Sequence, residues 1–400
     1  MKHGFYFRFY KILHNEVLCC LLSSFVYFLY CCKFYFTKIF SKKKAAELTY
    51  DEALKTVNEA YPMPVCKPEY NNPERDENID LSVVIPVYNY AEILEDNIKS
   101  ILNQKTSYNY EVIFVDDGST DGARDILKKY ENHPKVKLIF KENGGIGSAR
   151  NTGIDASSGR YLMFVDCDDT VHDDIVETLM SEAYKNDCDM VMAGHNLVKE
   201  KNGQVISVIP NVYPQKNLIG YKNGDEIMNF AGLPWAKVYK RELWDDVRFF
   251  PGYWYEDTII QFLIFPKCKK FSYIPKIVYE YKWYEKNFSH IQGNSANIRT
   301  IERYWLLVEI INRYKENSKV DLSNDKVFYT LLLRHISTYY YSLIKDFDQK
   351  LVEALFVCAR QLFFEYKPKD KVKLPYVLRQ TEKAFDKNDM ELWKLSSLYQ

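Results

Sequence analysis

Three carboxylates stand within four residues in the string YLMFVDCDDT, Tyr161 to Thr170: Asp166, Asp168 and Asp169. Held together at the end of an apolar run, they repel one another unless a divalent cation sits among them, and hard oxygen ligands suit Mg or Mn. A cation so placed can neutralise a diphosphate. The bland alternative is a solvated acidic turn that caps a helix beginning near Asp173. A second string, EVIFVDDGSTD from Glu111 to Asp121, places Asp117 after another apolar run. There a carboxylate can accept from the imide N–H of a uracil or bind a ribose hydroxyl, while Ser119 to Asp121 read as helix N-cap candidates.

Two further strings carry weaker signals when taken alone. In NGGIGSARNTGI, Asn143 to Ile154, glycines let the backbone approach a ligand, and Arg150 can pair with phosphate or stack on a base. The string lacks the GxGxxG spacing of dinucleotide folds and the GK[ST] of a P-loop, so a plain turn competes. In YWYEDTII, Tyr253 to Ile260, Glu256 and Asp257 precede an apolar helix. Either is a favourable first-turn charge or a general base that takes a proton from an attacking hydroxyl.

The elements that must position these groups alternate. Leu81 to Val87 (LSVVIPV) is a continuous apolar, β-branched run, expected for a strand covered on both faces. Leu94, Ile98, Ile101 and Leu102 form one helical stripe between Ala91 and Gln104. Strands follow at Glu111 to Val115, Lys137 to Phe140 and Tyr161 to Val165, separated by helices that end near Tyr130 and Ala156. The fold class expected is α/β, a mostly parallel central sheet with helices on both faces. In such sheets ligands bind beyond the carboxyl ends of the strands, where Tyr88, Asn89, Asp117, Asn143 and Asp166 all fall. Asp189 to Gly194 and Val205 to Ile209 extend the sheet, with a hairpin turn at Asn202-Gly203. Beyond about Asn297 the periodicity is helical.

The chain has 400 residues, enough for about two to three domains at roughly 150 residues each. Lys plus Arg and Asp plus Glu both number 54, so no global field draws in nucleic acid, and none is expected as a partner. The 9 cysteines show no CxxC pair or zinc spacing and read as reduced thiols of a cytosolic catalytic portion. Val17 to Phe36 is an apolar run of about twenty residues, long enough to span a bilayer if Lys33 snorkels. With Lys38 and Lys42 to Lys44 beyond it, the expectation is a single-pass cell-membrane anchor with the catalytic domain in the cytoplasm. The expected divisions are an anchor over 1–45, a solvated linker over 46–80, a catalytic domain over 81–290 and a helical region over 291–400.

Taken in order, SVVIPVYN, VDDGSTD, NGGIGSARNTGI, YLMFVDCDD, WAKVYKREL and YEDT resemble glycosyltransferase family 2, with its GT-A fold, over roughly Leu81 to Tyr284. The resemblance implies inverting transfer of a sugar from a nucleoside diphosphate donor, usually a UDP-sugar, to a hydroxyl of a glycan or lipid-linked acceptor. Pro86, Val87, Tyr88 and Asn89 match the segment that lines the nucleoside, Asp117 the base-contacting acid, and Asn143 and Arg150 a third nucleotide-facing segment. Asp166 and Asp168 match the DxD motif that holds Mn or Mg, with Asp166 also toward ribose. Asp257 matches the catalytic base, with Glu256 its neighbour, and Trp235 and Lys237 match a segment near the acceptor. The metal and Arg150 would offset charge on the departing diphosphate. No QxxRW string accompanies these motifs, so addition of one or a few sugars is expected rather than processive synthesis. Two rivals use the same residues: a haloacid-dehalogenase-like phosphatase with DxDxT at 166–170, and a catalytically silent nucleotide-sugar binder.

Overall fold

A computed structural model describes residues 16–65, 70–201, 203–213, 216–219, 230, 232–284, 297–316, 321–337 and 340–398. The chain forms two compact units, one of residues 1–63 with 292–400 and one of residues 64–291.

The first unit opens with α1 (Glu16–Phe40) and α2 (Tyr50–Ala60). The spanning anchor expected over 17–36 is not found: among the described residues no helix is long and apolar enough to cross a membrane. One face of α1, with Ser23 and Phe34, is instead buried within the unit. The linker expected over 46–80 also needs correction. Thr49 and Glu52 form a capping box, each side chain meeting the other's backbone N–H, and so start α2 inside that stretch. The unit closes with α7 (Glu302–Glu316), α8 (Lys326–Ser337), α9 (Tyr340–Ile344), α10 (Gln349–Tyr366), α11 (Tyr376–Asp386) and α12 (Met390–Leu398). This is the helical carboxyl-terminal region expected from periodicity.

The second unit is built on β1 (Leu81–Val87), α3 (Ala91–Leu102), β2 (Tyr110–Asp116), α4 (Ala123–Lys128), β3 (Val136–Phe140), α5 (Ile146–Ala156), β4 (Tyr161–Phe164), β5 (Thr170–Val171) and α6 (Ile175–Asn186). It continues with β6 (Met190–Lys201), β7 (Gln204–Asn211), β8 (Lys216–Ile219), β9 (Lys237–Lys240) and β10 (Lys270–Trp283). The ten-stranded sheet runs β3-β2-β1-β4-β9-β6-β10-β5, with β7 beside β6 and β8 beside β10. The first four strands are parallel, in register Val87↔Asp116 and Val84↔Phe164. Every residue of β1 and β2 is buried, as continuous apolar strands covered on two faces require. The remainder holds the antiparallel extension expected after the parallel core, with β7 antiparallel to β6 and the unforeseen β9 antiparallel to both β4 and β6, so the sheet as a whole is mixed. The hairpin read at 202–203 is present as the β6–β7 pair, with Asn202 itself outside the described residues.

Two features bring the polar ends together. Strand β1 lies between β2 and β4, so chain order reverses around it and a crevice opens beyond the strand ends. Gly153 lets α5 lie directly on β1, because a Cβ there would stand 2.2 Å from Val84 Cγ1.

Candidate active site

The ends of β1, β2 and β3 are laced by one acid. Asp117, 2% exposed, donates its N–H to Val87 O at 2.8 Å. Its carboxylate accepts from Lys141 Nζ (2.7 Å), Gly144 N (3.0 Å) and Gly145 N (2.8 Å). Gly118 sits at φ 81°, and a Cβ there would meet Asn143 N at 2.9 Å, so glycine is needed for the turn to close on that loop. Asn89, at φ 57°, accepts from Thr120 N through Oδ1, and Ala91 N donates to Asp121, which knits the turns after β1 and β2. Neighbouring Asp116 is bound by Arg124 and serves structure. Pro86 and Val87 are buried within β1, so their side chains pack in the core, while Tyr88 is 46% exposed and Asn143 is exposed.

The acidic loop after β4 is held from three sides. Asn97, on α3, donates to the carbonyls of Asp166 (3.0 Å) and Asp169 (2.9 Å). Tyr279 on β10 receives Asp166 N and donates to Asp169 at 2.7 Å, and Lys282 N donates to the other Asp169 oxygen. Asp169 is therefore a structural acid, its pKa raised by burial and by Asp168 and Asp166. Asp168 is pushed up to about 7, by burial first and then by Asp166, and accepts a 3.4 Å contact from Tyr284 Oη. Asp166 and Asp168 thus form a repelling pair of hard donors. Among the described residues no group of three or more His, Cys, Asp or Glu closes into a complete metal site. Two carboxylates fit Mg or Mn in the mode that completes its shell with water and substrate phosphate.

Arg150 joins this loop to the ED pair. Gly147 makes room for the approach, since a Cβ there would lie 3.3 Å from Phe249 Cβ and 3.6 Å from Glu256 Cβ. The Arg150 side chain is 2% exposed, over the Phe249 ring at 5.3 Å. One guanidinium nitrogen donates to Asp166 Oδ1 at 2.7 Å and the other to Glu256 Oε1. Burial opposes its charge, yet Asp166 and Glu256 raise its pKa on balance. Glu256 is pushed up to about 8 by burial, against the pull of Arg150 and with the repulsion of Asp257. Asp257, partly exposed, lies in the field of both Arg150 and Lys237.

Lys237 is fully buried, donating Nζ to Leu233 O at 2.5 Å, and burial lowers it to about 7 although Asp257 raises it. Trp235, 4% exposed, stacks on Tyr279 with ring centroids 4.6 Å apart. That stack links the Trp235–Lys237 segment to the tyrosine supporting the acidic loop. Asn97, Lys141, Tyr279 and Tyr284 escaped sequence reasoning. Their side chains lie mid-helix, just past a strand end or on β10, and no local spacing marks them.

The family profile for "Glycosyl transferase family 2" matches residues 82–243. Glycosyltransferase GlyA of Streptococcus pneumoniae serotype 4 is 31% identical over 220 residues, 53% of this chain but 32% of GlyA, so the chain spans about a third of that relative. Glycosyltransferase GlyG of the same organism is 30% identical over 212 residues, 50% of this chain and 70% of GlyG. The poly(ribitol-phosphate) beta-N-acetylglucosaminyltransferase TarP of Staphylococcus aureus is 28% identical over 271 residues, 64% of this chain and 80% of TarP. Among solved structures, S. aureus TarS 1-349 in complex with UDP-GlcNAc superposes with a TM-score of 0.51 at 18% identity, over 80% of this chain and 91% of that one. That likeness establishes a GT-A-like α/β fold with a mixed sheet. With the ordered strings at the strand ends and the GlyG match, it follows that this chain is a glycosyltransferase and belongs to glycosyltransferase family 2.

Proposed function

We propose that the enzyme transfers a sugar from a UDP-sugar to a hydroxyl of a cell-envelope glycan or lipid-linked acceptor, with inversion and without processive extension. The observation that carries this reading is the Arg150 bridge, which joins Asp166 of the acidic loop to Glu256 beside Asp257. A donor arm and a base arm are thereby fixed to each other within one unit. Hexosyl and N-acetylhexosaminyl donors both suit the site, and the substrates named for TarP and TarS favour N-acetylglucosamine.

A carboxylate has about four acceptor positions, and Asp117 spends three of them on the 141–145 loop, so one is left for the imide N–H of uracil. Tyr88 offers an exposed ring for the base, and Asn143 and Asn89 border the nucleoside. Asp166 and Asp168 would hold Mn or Mg, which when bound supplies positive charge to the diphosphate. Asp257 takes the proton of the acceptor hydroxyl as its oxygen bonds to the anomeric carbon and the bond to the diphosphate oxygen breaks. Arg150 holds Asp166 and keeps Glu256 from repelling Asp257. The phosphatase rival finds no support, since the family profile and the curated relatives reported above are glycosyltransferases. We place the enzyme in the cytoplasm, at the cell membrane.

The test is a screen of UDP-sugars for nucleotide release with Mn, Mg or EDTA, repeated with Asp257→Asn. Turnover should need the cation and fall by roughly 100-fold to 10,000-fold in the variant while UDP binding persists. Full turnover by Asp257→Asn would remove the base from the mechanism, and UDP binding without turnover on any donor would favour the silent binder.

A further inference from the structure

Helix α1 has two unlike faces. Ser23 and Phe34 are buried, with the Phe34 ring 5.9 Å from that of Tyr376 and Lys38 Nζ donating to Gln380 at 2.9 Å. The helix therefore rests on α11. On the opposite face Leu21, Phe25, Phe28, Phe36, Ile39 and Phe40 are each more than half exposed, from 56% to 84%. Their spacing keeps one stripe facing away from the unit for about 29 Å, at about 1.5 Å per residue. A soluble helix rarely leaves so continuous an aromatic stripe uncovered.

We propose that α1 lies flat in the surface of an anionic bilayer, its apolar stripe among the acyl chains and its other face still on α11. Crossing the bilayer would carry α11 inside with it. Exposed Arg379, Lys383 and Lys387 on or beside α11 would then enter hydrocarbon unpaired by water. Lying in the interface leaves those groups wet. The charge around the helix selects the lipid: Lys42, Lys43 and Lys44 follow α1 directly and are exposed, and Lys369, Lys371 and Lys373 are exposed on the segment that leads into Tyr376. No acid occurs between Glu16 and Glu47. An apolar stripe flanked by lysines is the composition of an interfacial helix on anionic lipid. This docking goes beyond the transferase reading and does not depend on it.

The full chain is sedimented with vesicles of phosphatidylcholine alone or mixed with phosphatidylglycerol. It should bind the anionic vesicles at least tenfold better than the neutral ones, and about 0.5 M salt should weaken that preference. Phe25→Ser, Phe28→Ser and Phe36→Ser together should lower partitioning at least tenfold with nucleotide release unchanged. Lys42→Ala, Lys43→Ala and Lys44→Ala should erase the anionic preference while leaving the helix folded by circular dichroism. Alkaline carbonate should strip the protein from cell membranes. Retention after carbonate would mean a span and overturn the proposal. So would an absence of vesicle binding in a chain that elutes as a dimer and becomes monomeric in the triple phenylalanine variant.

Discussion

Replacing Arg150 by Met tests whether its guanidinium is the strap between the two acidic arms. It donates two charge-assisted hydrogen bonds, one to Asp166 at 2.7 Å and one to Glu256. Such bonds contribute about 1.5–3 kcal/mol each. Removing one partner of a buried ion pair costs about 3–5 kcal/mol when the other stays charged. Glu256 limits that penalty, because it already titrates at about 8 and loses the one cation that holds it down. Burial then favours its neutral form, so the expected loss in Arg150→Met is about 3–6 kcal/mol, the two hydrogen bonds. Adding Glu256→Gln replaces the orphaned acid by a neutral amide, and the double variant should cost about 1–3 kcal/mol less than the sum of the singles. Urea unfolding of the wild type, both singles and the double closes the cycle. The site carries a parallel signature: freed from Arg150, Asp166 should misplace its oxygens and weaken UDP binding in the presence of Mn about 10-fold to 100-fold, as loss of an outer support does. Calorimetric titration measures this. Additivity within about 0.5 kcal/mol, together with unchanged UDP affinity, would refute the strap.

Gly153→Ala should cost about 1–3 kcal/mol by overpacking, since its Cβ would stand 2.2 Å from Val84 Cγ1, and Val84→Ala should restore most of the loss in thermal unfolding. At the opposite end of the strands, Glu111 is buried but held by Lys137, Ser82 and Ser158, which lower its pKa despite the burial. Its stabilisation is present above the unfolded value near 4.5 and is lost as pH falls through the lower folded value, so Glu111→Gln should destabilise by about 1–2 kcal/mol at pH 7 and by much less near pH 3. A urea titration at the two pH values that shows equal losses would contradict this. Lys237 titrates near 7 beside Asp257, and its ammonium weakens that base, so kcat/KM should rise with pH through about 7. Lys237→Met should abolish this limb, and a limb that persists in the variant assigns it to another group.

The strands of the first half were legible because β1 and β2 carry apolar, β-branched cores, Val83 to Val87 and Val112 to Val115, and Asp116 and Asp117 fall where chain order reverses around β1. The second half was harder. Strand β9 has four residues, KVYK, and owes its place to backbone pairing with β4 and β6 rather than to periodicity. The pairing of Arg150 with Glu256 spans 106 residues, so no local pattern could reveal that the arginine offered to a phosphate is spent inside the protein. Asn97 shows the same limit, for it reads as a polar position on an amphipathic helix until the carbonyls of Asp166 and Asp169 close on it. By contrast the capping box at Thr49 and Glu52 was readable from four residues, TYDE, within a stretch whose polar composition suggested a linker. Apolar length alone could not separate a span from a surface helix, because the difference lies in whether one face finds a protein partner.

The buried strap has a consequence for how the leaving group is stabilised. Asp166, Glu256 and Asp257 would repel one another when charged, and one guanidinium fixed between Asp166 and Glu256 sets the separation of those two before substrate arrives. Preorganisation of this kind removes a reorganisation cost from the reaction. It also commits the cation: with Arg150 2% exposed and both terminal nitrogens bound to carboxylates, its charge is shared with the protein rather than with the diphosphate. Lys141 is similarly engaged by Asp117. In the proposed transfer, compensation for the departing diphosphate would therefore fall to a cation held by Asp166 and Asp168. On the proposed reaction, a strap that orders the site would make turnover depend on a cation at Asp166 and Asp168 more strictly than an arginine free to reach the phosphates would.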